Sequence, residues 1–193
     1  MVSTMRTELM FGQYLDLVAT GRPTSDIDAA LVIDRYKSAK YTVERPLHLG
    51  AALAGADEEL LTVLCAFGVP LGEAFQLRDD LLGVFGDPAV TGKAVLDDLR
   101  VGKATALVAL ALTRANRTQQ DLLRALIGAA DLDEDGAAHV REVLTVTGAR
   151  ESIEKMIKER CAQGQRALTC SALPGHVTTA LRQLADIATV RIS

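Results

Sequence analysis

Asp79, Asp80 and Asp87 stand with Gln76 in a segment, residues 72 to 93, that is otherwise mostly apolar. At about 100° per residue, Gln76, Asp79, Asp80, Gly83 and Asp87 fall within an arc of about 100°, with Asp87 included if the helix runs that far. Around the rest of the circumference lie Phe75, Leu77, Leu81, Leu82, Val84 and Phe85, with Arg78 the one charged exception. The pattern predicts a helix buried on most sides and polar along one stripe. Carboxylates gathered in an apolar setting must be neutralised, and adjacent ones repel each other. The stripe therefore asks for cations, and hard divalent ions such as Mg2+ suit it. Such ions are held by one or two carboxylates and complete their shells with water and phosphate oxygens.

The residues that follow supply the matching half of that chemistry. Lys93, Arg100 and Lys103 sit among Gly86, Gly92 and Gly102. Flexible glycine backbone carrying lysines as point charges suits a polyphosphate. Lys37 is a further cation for the same ligand if its helix packs beside the acidic one. On composition alone a plainer reading stands beside this one, in which the acidic residues form a solvated face paired with surface Lys and Arg.

The elements that must position these residues are helices. Apolar spacing from Met5 to Ala19 predicts a first helix ended by Gly21-Arg-Pro-Thr. Ser25, with Asp28 three residues on, resembles a capping box opening a second helix that holds Lys37, kinks at Pro46 and stops near Gly55. Asp57 is the expected N-cap of a long third helix reaching Phe85, bent at Pro70, and a loop from Gly86 to Gly102 follows. Further helices are broken near Asn116, Asp131, Gly148 and Pro174. No period-two strand pattern is present, so the fold expected is all-α, with residues 1–193 as a single domain.

Composition agrees with this and excludes other classes. Hydrophobic residues make up 49% of the 193, aromatic ones 4%, and Trp is absent, which suits an Ala/Leu-packed helical protein. A net charge of −4 without a basic stripe argues against nucleic acid as a partner. The three cysteines, Cys65, Cys161 and Cys170, have no Cys-x-x-Cys spacing and read as reduced thiols of a cytoplasmic protein. No signal peptide is visible, and the most apolar run, Ala104 to Leu112, is too short for a transmembrane segment, so a soluble chain is expected.

Phe75-Gln76-Leu77-Arg78-Asp79-Asp80 followed by Phe85-Gly86-Asp87-Pro88 resembles the second aspartate-rich region of the trans-isoprenyl diphosphate synthases, the polyprenyl synthetase family. Gly92-Lys93 through Asp97-Asp98-Leu99-Arg100 to Gly102-Lys103 resembles the lysine loop after it. Upstream, Lys37-Ser38 stands where the family has Lys-Thr, and Glu8, Gly12-Gln13 and Asp16 resemble its Glu-x3-Gly-Gln-x2-Asp helix. Gly148-Ala149-Arg150-Glu151 resembles a small late motif. The resemblance implies a helical bundle of the isoprenoid synthase type in which Asp79 and Asp80 hold Mg2+ and Lys37, Gln76, Lys93 and Lys103 contact an allylic diphosphate. It also implies condensation of that diphosphate with isopentenyl diphosphate, and a homodimer or hetero-oligomer.

The chain departs from the family pattern in two places. The third aspartate of Asp-Asp-x-x-Asp is Gly83, with Asp87 a replacement acting through water. The family's first aspartate-rich motif would lie before residue 1, so the expected bundle lacks its N-terminal helices. Negligible prenyl transfer is expected of these 193 residues alone, and the alternative is a non-catalytic or truncated subunit that needs a partner. A class I terpene cyclase is disfavoured by the scarcity of aromatic residues. Asp131, Asp133, Asp135, Gly136 and Glu142 match the spacing of a calcium-binding EF-hand loop. The competing reading is an acidic helix start favoured by the N-terminal dipole. His48, His139 and His176 show no ligand spacing and read as surface or packed histidines.

Overall fold

The computed structural model describes residues 1–87, 96–171 and 173–189. Its elements are α1 (Val2–Ala19), α2 (Ile27–Asp34), a π-helical segment (Arg35–Glu44), α3 (Arg45–Leu53), α4 (Glu58–Phe85) and α5 (Asp97–Val101). They continue with α6 (Ala106–Arg114), α7 (Arg117–Leu126), α8 (Glu134–Val146), α9 (Ala149–Thr169) and α10 (Gly175–Thr189). No strand occurs among the described residues, as the all-α expectation requires. The described residues form two compact units: 1–13, 33–76 and 156–189 make the first, and 14–32 with 77–155 make the second.

The first unit is built on α4 residues 58–76. Leu64, Phe67 and Leu71 of that helix pack with Leu168 of α9 and with Leu181 and Ala185 of α10, all nearly excluded from solvent. The π-helical segment lies against α1 and α4 where glycine allows backbone contact. A β-carbon at Gly12 would overlap the backbone of Tyr36 and Lys37, and one at Gly72 would overlap Ala39. Charge is tied into the same unit. Glu8 accepts from Arg45 Nε and Nη2 at 2.7 Å each. Lys40 Nζ reaches Glu8 at 2.9 Å and Glu44 at 3.0 Å.

In the second unit α6 is the centre, with Ala106 through Leu112 all buried. Leu123 of α7, Val140 and Leu144 of α8, and Ala149 and Ile153 of α9 are each 0% exposed. The helix starts here follow local chemistry. Asn116 and Gln119 form a reciprocal capping box on α7, and Asp133 Oδ1 accepts from Gly136 N at 2.8 Å to cap α8. Gly148 separates α8 from α9 at φ +68°, the left-handed conformation that ends many helices.

Several local expectations are corrected. The side chain at the start of α2 that accepts a backbone bond is Asp26, from Ala29 N at 2.9 Å, and Ser25 is one position too early. Asp57 does cap α4, accepting from Leu60 N at 2.9 Å. α4 runs unbroken through Pro70, and the change of winding falls at Glu44–Arg45 with Pro46 in the first turn of α3. Proline costs nothing there because first-turn N–H groups lack helical partners. The stretch after α4 contains the short α5. By length and composition α4 is also apolar enough to cross a bilayer, a feature hidden by looking only for uninterrupted apolar runs. Of its most apolar 18 residues 56% are buried inside the protein, the situation of a core helix.

Candidate functional site

Asp80 is the most buried aspartate of the acidic stripe on α4, 2% exposed. A solvated acidic face therefore does not describe it. Lys103 is a cation that partners it, with its Nζ donating to Asp80 Oδ1 at 2.6 Å. The backbone that presents Lys103 is fixed by glycine. Gly102 closes α5 at φ +69°, a left-handed position, with its N–H bonded to Leu99 O at 3.1 Å. Its carbonyl accepts from Gly21 N at 2.9 Å, while Gly128 N bonds Leu99 O at 2.8 Å. Leu99, 1% exposed, anchors the turn from within. Two of the residues expected in the site, Asp80 and Lys103, are thus brought into direct contact.

Asp79 is half-buried beside Asp80, and Gly83 is buried one turn further along α4. Gly83 does not leave a vacancy on the stripe. A β-carbon placed on it would overlap Oδ2 of Asp98 and lie 3.0 Å from Asp98 Cγ, so the Asp98 carboxylate stands against this glycine. Asp87 was expected to serve in this place. It falls beyond the end of α4 at Phe85 and is exposed. Lys93 lies outside the described residues.

In the first unit Lys37 and Ser38 sit on the π-helical segment. Arg45 N–H donates to Lys40 O, the i to i+5 bond that defines this winding. π-type turns are rare and concentrate at functional sites. Ser38 Oγ donates to Gln76 Oε1 at 2.5 Å, both residues being buried. Below Gln76 on α4, Glu73 is 2% exposed and accepts from Arg35 Nε at 2.6 Å, with Arg160 Nε 2.7 Å from its other oxygen. This buried carboxylate with two arginines is a feature the sequence reading passed over. Its only signal was an acidic residue on the apolar part of α4.

Other charges close on themselves. Arg78 grips Glu154 through two bonds of 2.7 and 2.8 Å, which explains how this cation beside the acidic stripe of α4 is accommodated. Arg150 of the late motif stacks on the Phe85 ring at 4.5 Å, where α4 ends. Glu8 is held below the ordinary carboxylate range by its bond from Arg45 and, less strongly, by Lys40, against the opposing cost of burial. Its pairing makes it a structural residue of the first unit.

The acidic stretch at residues 131–142 takes the helix-start geometry. Asp133 caps α8, Glu134 pairs with Arg141 Nη1 at 2.6 Å, and Asp135 and Glu142 stand on a continuous helix. An EF-hand loop must instead wrap its ligands around one point. All three cysteines are free. His48 is packed: Arg45 Nη1 donates to its Nδ1 at 3.3 Å, which leaves Nε2–H to donate to Leu61 O at 2.9 Å.

The polyprenyl synthetase family model matches residues 1–145. A geranylgeranyl diphosphate synthase of Mycobacterium tuberculosis is 33% identical over 170 residues, covering 88% of this chain and 47% of the relative. A geranylfarnesyl diphosphate synthase of Aeropyrum pernix is 36% identical over 155 residues, covering 79% of this chain and 46% of the relative. Among solved structures, a geranylgeranyl pyrophosphate synthase of Corynebacterium glutamicum, complexed with isoprenyl diphosphate and magnesium, superposes with a TM-score of 0.92 at 42% identity. That match covers 97% of this chain and 53% of the other, an all-α isoprenoid synthase fold. The chain thus spans about half the length of the relatives it matches.

Proposed function

Because the chain belongs to the polyprenyl synthetase family, we propose that it carries the second aspartate-rich region of a prenyltransferase and binds an allylic diphosphate with Mg2+. The single observation that carries this reading is the Lys103–Asp80 pair at 2.6 Å on the acidic stripe of α4. It joins the lysine loop to the aspartate region, the two motifs that the diphosphate requires together.

The donor set fits Mg2+. Asp79 and Asp80 offer hard carboxylate oxygens, and no sulfur or imidazole ligand enters the proposed set. When bound, the ion supplies Lewis acidity to the departing diphosphate. The chain's own part is electrostatic and steric. Asp79 and Asp80 would hold the ion. Lys103, oriented by Asp80, places a fixed positive charge where negative charge develops as the allylic carbon–oxygen bond breaks. Leu77, Leu81 and Val84 keep water from that helix. Lys37 and Gln76 of the first unit, and Lys93, are proposed diphosphate contacts on the strength of their motifs. In the complete reaction isopentenyl diphosphate attacks the allylic carbon through its double bond, and a proton is then lost. Both substrates are proposals for this chain, as is the share of the reaction it performs.

The test is calorimetric binding of a non-hydrolysable allylic diphosphate analogue to the wild-type chain and to Asp79→Ala/Asp80→Ala, each with Mg2+ and with chelator. Binding should need Mg2+ and should be lost in the variant, with helicity by circular dichroism as the folding control. Equal binding by the two proteins removes the reading.

A further inference from the structure

α5 is five residues long, too short to hold its own shape in water. The backbone of Lys103, which follows it, is nevertheless fully engaged: its N–H donates to Asp98 O and its carbonyl accepts from Thr105 N, each at 3.1 Å. The support comes from elsewhere in the second unit. Gly21 N donates to Gly102 O at 2.9 Å, Gly128 N donates to Leu99 O at 2.8 Å, and Arg100 reaches Leu132 O through Nε at 2.9 Å and Nη2 at 2.7 Å. Two connections distant in sequence therefore hold the turn, the one after α1 and the one after α7, and each does so through a glycine N–H.

The glycines share one conformation and one place. Gly21, Gly102 and Gly128 just follow the C-terminal ends of α1, α5 and α7, with φ of +72°, +69° and +94° in the left-handed region. A β-carbon on Gly102 would lie 3.0 Å from the Cα of both Gly21 and Gly128, so three backbones meet with no room for a side chain between them. At Gly21 itself a β-carbon would meet nothing within 4 Å, and at Gly128 only ordinary contacts of 3.8 and 3.9 Å. Those two positions need glycine for backbone conformation, not for space.

We propose that Gly21 and Gly128 are positioning residues for Lys103: with Gly102 they form a junction that sets the lysine in place before any diphosphate arrives. The proposal rests on the diphosphate reading above and deepens it. With its backbone held by the junction and its Nζ on Asp80, Lys103 has little freedom left for a ligand to remove. That is the condition for a charge to act as a preorganised stabiliser. Gly102 thus works against the flexibility that glycine suggests in sequence. Neither Gly21 nor Gly128 lies in a motif that carries the family resemblance, and their link to the site runs through main-chain bonds.

A role in ending helices and a role in positioning Lys103 predict different results. Inorganic diphosphate is titrated with Mg2+ into the full 193-residue chain as wild type, Gly21→Val, Gly21→Asn, Lys103→Gln and Gly21→Val/Lys103→Gln. The space around a β-carbon at position 21 is open, so valine and asparagine differ there chiefly in backbone preference: asparagine tolerates the left-handed region and a β-branched residue does not. Gly21→Val should weaken Mg2+-dependent binding by about 5–30-fold, the factor by which that region disfavours a residue with a β-carbon. Gly21→Asn should keep most of the affinity. Lys103→Gln removes the charge while keeping a donor for Asp80, and adding Gly21→Val to it should weaken binding little further, because the positioned charge is already gone.

Equal weakening in the two backgrounds, or a Gly21→Val chain that titrates like wild type, overturns the inference and leaves the proposed function standing. A wild-type chain that binds no diphosphate with Mg2+ overturns both. Amide hydrogen exchange gives a second readout that needs no variant. The Gly21 and Gly128 N–H groups should be equally protected with and without Mg2+ and diphosphate. Protection that appears only when the ligand is added would mean that the ligand sets the turn, and overturns the inference.

Discussion

Lys103 Nζ sits 2.6 Å from Asp80 Oδ1, with the aspartate 2% and the lysine 18% exposed. One end of this pair is dry and the other reaches solvent. An ionised carboxylate at that depth is tolerated only with a partner, and the partner comes from a turn 23 residues away in sequence. The pair therefore links the helix that carries the aspartates to the turn that carries the lysine. The turn's position becomes a condition of the helix's stability.

Lys103→Ala should consequently destabilise the chain, by up to about 3–5 kcal/mol, the range for breaking a buried ion pair. Asp80→Asn combined with Lys103→Met should recover much of that loss, because both charges then leave together. Urea unfolding of the three variants measures it. A Lys103→Ala chain as stable as wild type would show that Asp80 does not depend on this lysine.

Glu8 gives a pH dependence whose sign is fixed. Its folded pKa lies below the ordinary 4.5, first through the bond from Arg45 and then through Lys40. A depressed carboxylate contributes stability that is fully present above its unfolded pKa and is lost as pH falls through the folded one. Stability should therefore decline as pH drops below about 4.5, and Glu8→Gln should flatten that limb while costing about 2 kcal/mol at neutral pH, the scale of hydrogen bonds to charged groups. Denaturation midpoints followed from pH 7 to pH 3 in both proteins provide the check. An acid limb of unchanged steepness in Glu8→Gln would refute it.

The helices were legible in sequence because their signals are local. Asp57 caps α4, Asn116 starts α7, Gly148 separates α8 from α9, and the apolar face of α4 repeats at the helical period. The stripe of Gln76, Asp79, Asp80 and Gly83 could be read the same way, since residues on one helix face need no tertiary information. What could not be read was every partner from another element. Nothing in the spacing says that Lys103 meets Asp80, that Ser38 meets Gln76, or that Glu73 is held between Arg35 and Arg160. The π winding at Arg35–Glu44 was also hidden, as was the close approach to its backbone that Gly12 and Gly72 allow. Gly83 read as a loss for the same reason: the carboxylate that fills its place comes from α5.

The cysteines should differ sharply in reactivity. Burial pushes the Cys65 thiol up to about 11, with the neighbouring Glu44 carboxylate adding to the shift, while Cys170 is exposed. The thiolate is the reacting species, so at pH 8 native Cys65 should resist iodoacetamide while Cys170 is modified. Peptide mass spectrometry over a time course resolves the two sites. Comparable rates in the folded protein would contradict the environment described for Cys65.

Prenyl transfer by the 193 residues alone should be negligible. The chemistry needs the diphosphate clamped between two aspartate clusters, so that its charge is neutralised from both sides as the allylic bond breaks. In the function proposed above these residues supply one such cluster, the stripe of Asp79 and Asp80. Removing a single preorganised stabilising group from an active site commonly costs about 10²–10³ in rate, and a whole opposing cluster contains several. Binding and turnover should therefore separate: the chain should take up an allylic diphosphate with Mg2+ and fail to elongate it. Incubation with radiolabelled isopentenyl diphosphate, farnesyl diphosphate and Mg2+, followed by solvent extraction of longer products, makes the measurement. Labelled product that scales with the concentration of purified chain would show that one aspartate cluster suffices, and the division between binding and turnover would then be wrong.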